Sequence, residues 1–312
     1  MAVESASTPE FGRVLITGAN GHLGRRLIAR LSEERPVRAV VRSERAARTL
    51  SESRGPNPLD TRILDPTDPV ALTEACEACA QVVHLVGILK EGASSRYEDA
   101  HEGSSRALAQ AAAAAGIRRI VYLSILGSTP AATNACLASK GRAERILLEG
   151  ETPALILRVP MVLGEGDFAS RSLIGQARSA VTPLLRGGRS LEQPIYAGDV
   201  VEAIVSGLDR PDLADVSLDL AGPECVSRRG LLERTARLLD RSPRVVPIPL
   251  GLNLAIAALL ERISKNPPVT RAMLGVLNHD DNIDVADACQ RLGIELTSLD
   301  DMLRRCVAAE AT

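Results

Sequence analysis

The strand-to-helix turn from Thr17 to Gly24 constrains the fold of this chain more than any other feature. It reads TGANGHLG, follows the apolar run 14–16 and leads into a helix-like segment at 25–31. Such a turn directs backbone N–H groups and the positive end of the helix at an anion, and glycine is needed where a Cβ would block the approach. Three glycines alone are a weak signal, but these flanks favour dinucleotide binding over an ordinary strand-to-helix turn.

Each glycine of the turn has its own predicted role. Gly18 makes the turn, Gly21 admits the phosphates, and Gly24 lets the helix pack closely on the strand. The residues predicted to bind the cofactor here are Gly18, Asn20, Gly21, His22, Leu23 and Gly24.

Length and charge limit the possible partners. The chain has 312 residues, enough for a dinucleotide-binding domain of about 200 to 250 residues and a smaller appendage. The net charge is −2 and the arginines are scattered among acids, so nucleic acid is not an expected partner. Residues 1–10 lack the charged start and apolar core of a signal peptide, which predicts a disordered lead and a cytoplasmic location.

The six cysteines include a close pair, Cys76 and Cys79, in the alanine-rich, helix-like run 70–80. A metal or redox pair would need a second pair, histidines at ligand spacing, or a thioredoxin-like context, and the sequence has none of these. We expect structural roles for these cysteines and no metal site.

Apolar runs alternate with helical stretches along the first half of the chain. The predicted strands are 13–17, 37–41, 61–64, 82–86, 120–123 and 154–159. This rhythm predicts the α/β class with a doubly wound parallel sheet, covered by helices on both faces. Helices are predicted at 104–115 and 138–149, with Gly116 and Gly150 as left-handed C-caps.

The strand–helix rhythm loosens after about residue 163. We predict a dinucleotide-binding core over 11–162, to which 193–221 returns, and a smaller, mostly helical substrate-side domain over 163–192 and 222–308. The nearly uncharged segment 245–260 is too short and too proline-interrupted to span a membrane. It is predicted to form a buried helix after an extended stretch, or else to line an apolar pocket or rest on a membrane surface.

The end of the second strand indicates which cofactor is preferred. Proteins that prefer NAD place a carboxylate there, whereas those that prefer NADP place an arginine. Here Arg42, helped by Ser43 and Arg45, is predicted to bind the extra phosphate, so NADP(H) is preferred and NAD(H) is the alternative. Arg42 could otherwise be a solvated residue at a helix start.

Two later strand ends are predicted to continue the site. Asp65 follows the third strand, where the adenine edge would lie. Val86 and Gly87 end the fourth strand, beside the expected nicotinamide ribose.

These motifs resemble the short-chain dehydrogenase/reductase superfamily, in its extended or atypical branch, over nearly the whole chain. Within that branch the chain looks like the group that contains the nucleotide-binding accessory subunit of respiratory complex I and relatives linked to coenzyme Q. The segments that carry this resemblance are 82–89, 101–104, 193–204, 220–224 and 266–274. The resemblance implies a Rossmann fold and an NAD(P) cofactor.

Catalytic members of that superfamily use a Ser, a Tyr and a Lys four residues after the Tyr. The resemblance assigns Ser124 and Lys140 to the Ser and Lys positions, but the Tyr position is Cys136. The Tyr exchanges a proton with the substrate and the Lys holds the nicotinamide ribose, so Cys136 puts the usual proton relay in doubt. Tyr97, in a predicted loop, and Tyr122, inside a strand, are not expected to replace it.

Two further segments match the family. Arg158, Val159 and Pro160 match the stretch that lines the nicotinamide, so Val159 is included among the cofactor residues. Tyr196 and Asp199 match the motif that closes the site toward the second domain, although Asp199 is more simply read as a helix N-cap.

Three functions follow as expectations. The first is an NADP(H)-dependent oxidoreductase with a small apolar substrate, quinone-like or isoprenoid, suggested by segment 245–260. The second, suggested by Cys136, is a nucleotide-binding subunit, assembly factor or redox sensor with a protein partner and no turnover. The third is a nucleotide-sugar epimerase or dehydratase, which ranks lowest because it also needs the missing tyrosine.

Overall fold

A computed structural model describes residues 12–50, 59–93, 95–249, 251, 262–263, 270–277 and 280–310. The first half of the chain alternates strands with helices. Its strands are β1 (Arg13–Thr17), β2 (Val37–Val41), β3 (Asp60–Ile63), β4 (Cys79–His84), β5 (Arg119–Ile125) and β6 (Ala154–Val159). Its helices are α1 (His22–Leu31), α2 (Glu44–Arg48), α3 (Pro69–Cys76), a π-helix (Glu98–Gly103), α4 (Ser104–Ala114) and α5 (Ala135–Leu148).

The second half contains shorter strands and more helix. Its strands are β7 (Val162–Leu163), β8 (Val181–Leu185), β9 (Leu191–Glu192), β10 (Ile195–Tyr196), β11 (Val216–Asp219), β12 (Val226–Ser227) and β13 (Arg244–Ile248). Its helices are α6 (Phe168–Arg178), α7 (Ala197–Leu208), a 3₁₀ turn (Pro211–Leu213), α8 (Arg228–Arg237), α9 (Arg271–Leu277), α10 (Ala286–Leu292) and α11 (Leu299–Ala309).

Seven strands form one parallel sheet in the order β11-β6-β5-β4-β1-β2-β3. Val14 and Ile16 face a core that includes residues of α1 and α7, whereas Leu15, between them, faces a core with residues of α3, α4 and α5. Both faces of the sheet are therefore buried, which explains the nearly continuous apolar runs. The predicted α/β class and doubly wound sheet are confirmed.

A third apolar core lies in the second half of the chain. It joins Leu173 of α6, Leu231 of α8, and Met302 and Leu303 of α11. The same half of the chain contains three two-stranded sheets, β10-β7, β12-β9 and β13-β8. The domain boundaries given above remain predictions.

The strand end that lines the candidate site is shorter than predicted. β4 ends at His84, so Val86 and Gly87 belong to the loop that follows. Helix α5 begins earlier than predicted, because Asn134 Oδ1 accepts hydrogen bonds from the backbone N–H groups of Cys136 and Leu137, at 2.9 and 3.3 Å. This N-cap places Cys136 in the first helical turn.

Two predicted turns differ from the structure. The helical run predicted at 70–80 is interrupted: α3 ends at Cys76, Ala78 turns the chain with φ +57°, and Cys79 begins β4. Gly116 has the predicted left-handed conformation, with φ +66°, but Gly150 does not. Helix α5 ends instead at Glu149, which has right-handed backbone angles. This C-terminus therefore does not need a glycine in the left-handed conformation.

Asp199 is not the N-cap of its helix. Helix α7 begins at Ala197, and Tyr196 occupies the capping position. The Asp199 carboxylate instead accepts hydrogen bonds from the backbone N–H and the hydroxyl of Thr297, both at 2.7 Å. It therefore ties α7 to the chain that leads into α11.

Some predictions lie outside the described residues. These are the lead at 1–10, part of the family segment 266–274, and most of the segment 245–260, of which residues up to 248 form β13. Within the described ranges, no helix combines the length and apolar character that crossing a membrane requires.

Candidate functional site

The glycine turn has the geometry of an anion site. Gly18 has φ +69°, and a Cβ there would lie 2.9 Å from the carbonyl carbon of Leu85. A Cβ at Gly24 would lie 2.4 Å from the carbonyl oxygen of Ala19, so α1 passes directly against the turn. Gly21 is the N-cap of α1, no side chain caps the helix, and its first turn carries no acid. The N–H groups of that turn are left for an external anion.

A groove of about 390 Å³ opens from this turn across the ends of the strands. It lies where β1 is flanked by β4 on one side and β2 on the other, the point at which the strand order reverses and where α/β sheets bind ligands. The predicted cofactor residues that line it are Gly18, Asn20, Gly21, Arg42, Asp65, Val86 and Gly87.

The remaining predicted residues do not line the groove. His22, Leu23 and Gly24 form the first turn of α1, behind its open end. Val159 ends β6 and is buried in the core. Ser124, Cys136 and Lys140 are buried beside the groove, as described below.

Arg42 and Asp65 form an exposed, charged end of the groove. Asp65 accepts hydrogen bonds from the N–H and hydroxyl of Thr67, at 2.9 and 2.8 Å, and these bonds, together with the charge of Arg42, lower its pKa. Ser43 caps α2 by accepting a bond from Ala46 N–H at 3.2 Å, so its oxygen is partly engaged. Among the described residues, none forms an ion pair with Arg42.

Lys140 lies at the inner end of the groove. Its ammonium group is 3.0 Å from the place that a Cβ on Gly87 would take, so any larger residue would collide with it. It donates a hydrogen bond to the Leu123 carbonyl at 3.0 Å and lies 4.4 Å from the centre of the Tyr122 ring. Burial lowers the pKa of Lys140 to about 8, although Cys136 and Glu144 act in the opposite direction.

Ser124 is engaged in a buried network. Its hydroxyl donates to a Glu144 carboxylate oxygen, and the same carboxylate accepts bonds from Arg158 Nε and Nη2 at 2.9 and 2.6 Å. The hydroxyl is therefore directed at Glu144. A role for Ser124 in orienting a substrate stays a prediction.

Cys136 lies one helical turn before Lys140, on the same side of α5. It is fully buried, and its thiol donates to the Ile88 carbonyl across 3.6 Å. Burial raises the pKa of Cys136, so this side chain is a neutral thiol near neutral pH.

Sequence reasoning set Tyr97 aside as a loop residue and gave His101 no role of its own. Tyr97 is 6 % exposed, immediately precedes the π-helix, and donates from its hydroxyl to the Leu89 carbonyl at 2.9 Å. Its ring stacks on His101, with 5.6 Å between centroids, and His101 Nε2 accepts a bond from Ile88 N–H at 3.1 Å. The family segment 101–104 pointed to His101, but no local pattern indicates that Tyr97 reaches this place.

Two buried histidines brace the wall of the site. His84, at the end of β4, lies 2.6 Å from the Thr17 hydroxyl, at the end of β1. Burial lowers the pKa of His84 and of His101 to about 3, and the charge of Lys140 adds to both shifts. Both side chains are therefore neutral imidazoles at neutral pH.

Helix α1 is also tied to the second half of the chain. Arg26 pairs with the Glu165 carboxylate and donates to the Glu165 carbonyl at 3.1 Å. Tyr196 donates to the same carboxylate at 2.7 Å. In the described part of the chain, no group of three side chains is arranged to hold a metal ion.

A family model described as NAD(P)H-binding matches residues 18–182, and the chain belongs to this family. The predicted membership of the extended short-chain dehydrogenase/reductase group is confirmed. The fold and the glycine turn thus belong to a nicotinamide-nucleotide-binding protein.

Several curated proteins are similar to most of this chain. A ceramide reductase of Caulobacter vibrioides is 28 % identical over 260 residues, which are 82 % of this chain and 79 % of that protein. Subunit 9 of the mitochondrial NADH dehydrogenase [ubiquinone] 1 alpha subcomplex of Arabidopsis thaliana is 27 % identical over 251 residues, which are 78 % of this chain and 62 % of the subunit. A (4-alkanoyl-5-oxo-2,5-dihydrofuran-3-yl)methyl phosphate reductase of Streptomyces griseus is 26 % identical over 84 % of each chain.

Solved structures share the fold. MoeE5 in complex with UDP-glucuronic acid and NAD has a TM-score of 0.73 and 21 % identity, over 96 % of this chain and 99 % of that one. A UDP-glucose 4-epimerase from Bifidobacterium longum has a TM-score of 0.72 and 16 % identity, over 96 % and 98 %. At this identity the likeness extends to the fold alone.

Proposed function

We propose that this protein is an NADP(H)-dependent reductase of apolar carbonyl compounds. One observation carries the proposal: the groove that starts at the open end of α1 reaches Gly87, which lies against the buried Lys140. A dinucleotide with its pyrophosphate at Gly21 and its reactive ring near Gly87 would fit this arrangement.

Different residues of the groove would bind different parts of the cofactor. The first-turn N–H groups of α1 would hold the pyrophosphate, and the Arg42 guanidinium would form forked hydrogen bonds with the 2′-phosphate of NADP(H). Lys140 would donate to the nicotinamide ribose past Gly87, where only glycine leaves room. When bound, the reduced cofactor supplies a hydride.

The substrate class is argued from the relatives and from composition. Two of the similar proteins are named as reductases, one of ceramide and one of a furanyl-methyl phosphate. Aromatic residues make up 2 % of the chain, so flat sugar- or base-stacking platforms are scarce. This supports an aliphatic carbonyl compound or a quinone ahead of a nucleotide sugar.

A second candidate is a nucleotide-binding subunit without turnover. Cys136 stands where the superfamily has its proton-transferring tyrosine, and a fully buried thiol with a raised pKa is a poor acid. Similarity to mitochondrial NADH dehydrogenase subunits from several organisms supports the same reading. This candidate would bind a protein partner and could contact a membrane surface.

The test begins with fluorescence titrations of NADPH and NADH. NADPH is then mixed, without oxygen, with 9,10-phenanthrenequinone or a keto analogue of ceramide, using Lys140→Met and Arg237→Met on the exposed side of α8 as matched variants. We expect tighter binding of NADPH than NADH, and turnover that is lost only in Lys140→Met. Binding without turnover would favour the subunit, whereas no binding of either nucleotide would reject both candidates.

A further inference from the structure

The loop after Gly87 is held by side chains from two helical segments. Ile88 N–H donates to His101 of the π-helix, and Ile88 C=O accepts from the Cys136 thiol of α5. Leu89 C=O accepts from the Tyr97 hydroxyl at 2.9 Å. Cys136 and Tyr97 therefore contact adjacent peptide groups of the loop that forms one wall of the groove.

The Tyr97 phenol lies against Cys136. Its hydroxyl donates to the Leu89 carbonyl, and the Cys136 thiol and the Thr270 side chain are close enough to influence its pKa. The backbone around it is fixed, because Tyr97 N–H donates to Glu91 Oε1 at 3.0 Å and Tyr97 C=O accepts from Ser139 Oγ at 3.2 Å. The ring is thus held beside the small side chain that stands in the family tyrosine position.

The ring also connects to the inner end of the groove. Tyr97 stacks on His101, and His101 Nε2 lies 3.6 Å from the Cβ position of Gly87, where Lys140 Nζ lies at 3.0 Å. The phenol, the imidazole and the ammonium group therefore surround the same short loop. The chain has a tyrosine hydroxyl at this site although position 136 does not supply it.

We propose that Tyr97 is the proton donor of this protein, in place of the tyrosine that position 136 lacks; this inference rests on the proposed reductase function. The substrate carbonyl carbon gains a C–H bond from the hydride of bound NADPH, and the C=O π pair moves to oxygen. That oxygen takes the phenolic proton of Tyr97, which gives the alcohol and NADP⁺. The phenolate then regains a proton from solvent.

The environment of Tyr97 sets its protonation state. Burial raises the pKa of Tyr97, and the neighbouring Cys136 and Glu91 add to the shift. The phenol therefore keeps its proton across the neutral range. Reduction of a carbonyl needs the protonated phenol, which is the form that Tyr97 keeps.

The main experiment compares hydroxyl deletions in the full chain. With 9,10-phenanthrenequinone or the keto ceramide analogue, Tyr97→Phe is expected to lower kcat about 100-fold or more, with the Kd for NADPH unchanged within about twofold. Ser179→Ala, which removes an exposed hydroxyl at the end of α6, is the matched control. Full turnover in Tyr97→Phe would overturn the proposal.

A second measurement needs no substrate. Tyr97→Ala should uncover the Cys136 thiol to iodoacetamide, and mass spectrometry of the peptide gives the rate of alkylation. NADP⁺ should slow this reaction, whereas adenosine 2′,5′-bisphosphate, which has no nicotinamide, should not. Equal rates with both ligands, each at saturation, would place Tyr97 away from the nicotinamide and overturn the proposal.

A double variant that moves the phenol to position 136 tests whether the hydroxyl acts in the reaction or only supports the structure. Adding Cys136→Tyr to Tyr97→Ala returns a phenol to the family position in the space vacated by the ring. A gain of about tenfold or more in kcat over Tyr97→Ala is expected, and no gain in a double variant that binds NADPH normally would count against the role. If the wild-type chain binds NADPH but reduces no carbonyl, the reductase function fails, while the alkylation test still decides where Tyr97 lies.

Discussion

The two ends of the candidate cofactor site are built in different ways. At the outer end, Arg42 and Asp65 are exposed, and the N–H groups that are open to a ligand belong to the backbone of α1. At the inner end, Lys140, Cys136 and Tyr97 are buried and bonded to the backbone of other segments. We therefore expect single substitutions to alter ligand preference at the outer end, whereas a substitution at the inner end disturbs several contacts at once.

The largest expected effect is a loss of NADPH affinity from a substitution at the outer end. Gly21→Val puts a branched side chain where the pyrophosphate would approach, and a Cβ there lies 3.2 Å from Gly18 O, so the turn must shift by a few tenths of an ångström. We expect NADPH to bind about 100-fold more weakly, with little change in Tm. Gly175→Val is the control, because no atom lies within 4 Å of a Cβ at Gly175. Unchanged affinity in titration would place the phosphates elsewhere.

The second effect is a loss of folding stability at acidic pH, caused by two buried histidines at the inner end. The pKa of His84 and of His101 falls from 6.5 in the unfolded chain to about 3 in the fold, so below pH 6.5 the unfolded state binds protons that the folded state does not. Stability is therefore complete above pH 6.5 and is lost as the pH falls toward 3. At pH 5 the loss is about 2 kcal/mol for each histidine.

Urea unfolding at pH 7.5, 6 and 5 measures this loss. His101→Gln keeps an acceptor for Ile88 N–H but cannot titrate, so its stability should depend less steeply on pH than that of the wild-type chain. Equal slopes in the two proteins would mean that His101 is already protonated in the fold or is freely solvated.

The third effect tests whether Arg42, at the outer end, binds the 2′-phosphate of NADPH. Arg42→Ala removes a forked donor from the predicted 2′-phosphate site and should weaken NADPH about tenfold, with NADH changed by less than about twofold. Arg237→Ala, on the exposed side of α8, controls for the loss of one positive charge. Equal losses for both nucleotides would show that the phosphate site has been misread.

The smallest effect tests whether Ser124, at the inner end, has a structural role. Ser124 donates to Glu144, which keeps its two bonds from Arg158. Ser124→Ala should therefore lower the free energy of unfolding by about 1 to 2 kcal/mol and leave NADPH affinity unchanged. A large fall in turnover without a loss of stability would instead assign Ser124 to the substrate.

Local patterns predicted the strands that form the outer end well. The bounds of β1, β2 and β6 agree with the prediction, because each is an apolar run bordered by turn residues or charge. Arg42 and Asp65 come together because they follow neighbouring parallel strands, whose carboxyl ends share one edge of the sheet. Short-range sequence information is sufficient to bring these two residues to the same groove.

The inner end could not be predicted in the same way. Tyr97 reaches Cys136 only because a π-helix and an N-capped α5 bring two distant segments together, and neither feature has a repeating pattern. The assignment of Asp199 as an N-cap was wrong because capping rules consider only neighbouring residues. Its partner, Thr297, lies far along the chain. Cys79 was misassigned because a left-handed Ala78 ends the helical run.

Helix α1 has the open N–H groups of the glycine turn at its N-terminus and, one turn later, Arg26, which forms an ion pair with Glu165. Glu165 also holds Tyr196, so one helix joins the nucleotide groove to the second half of the chain. A ligand that displaced Glu165 would shift α1 and change nucleotide affinity. Because such coupling is reciprocal, bound nucleotide would change the affinity for that ligand by the same factor.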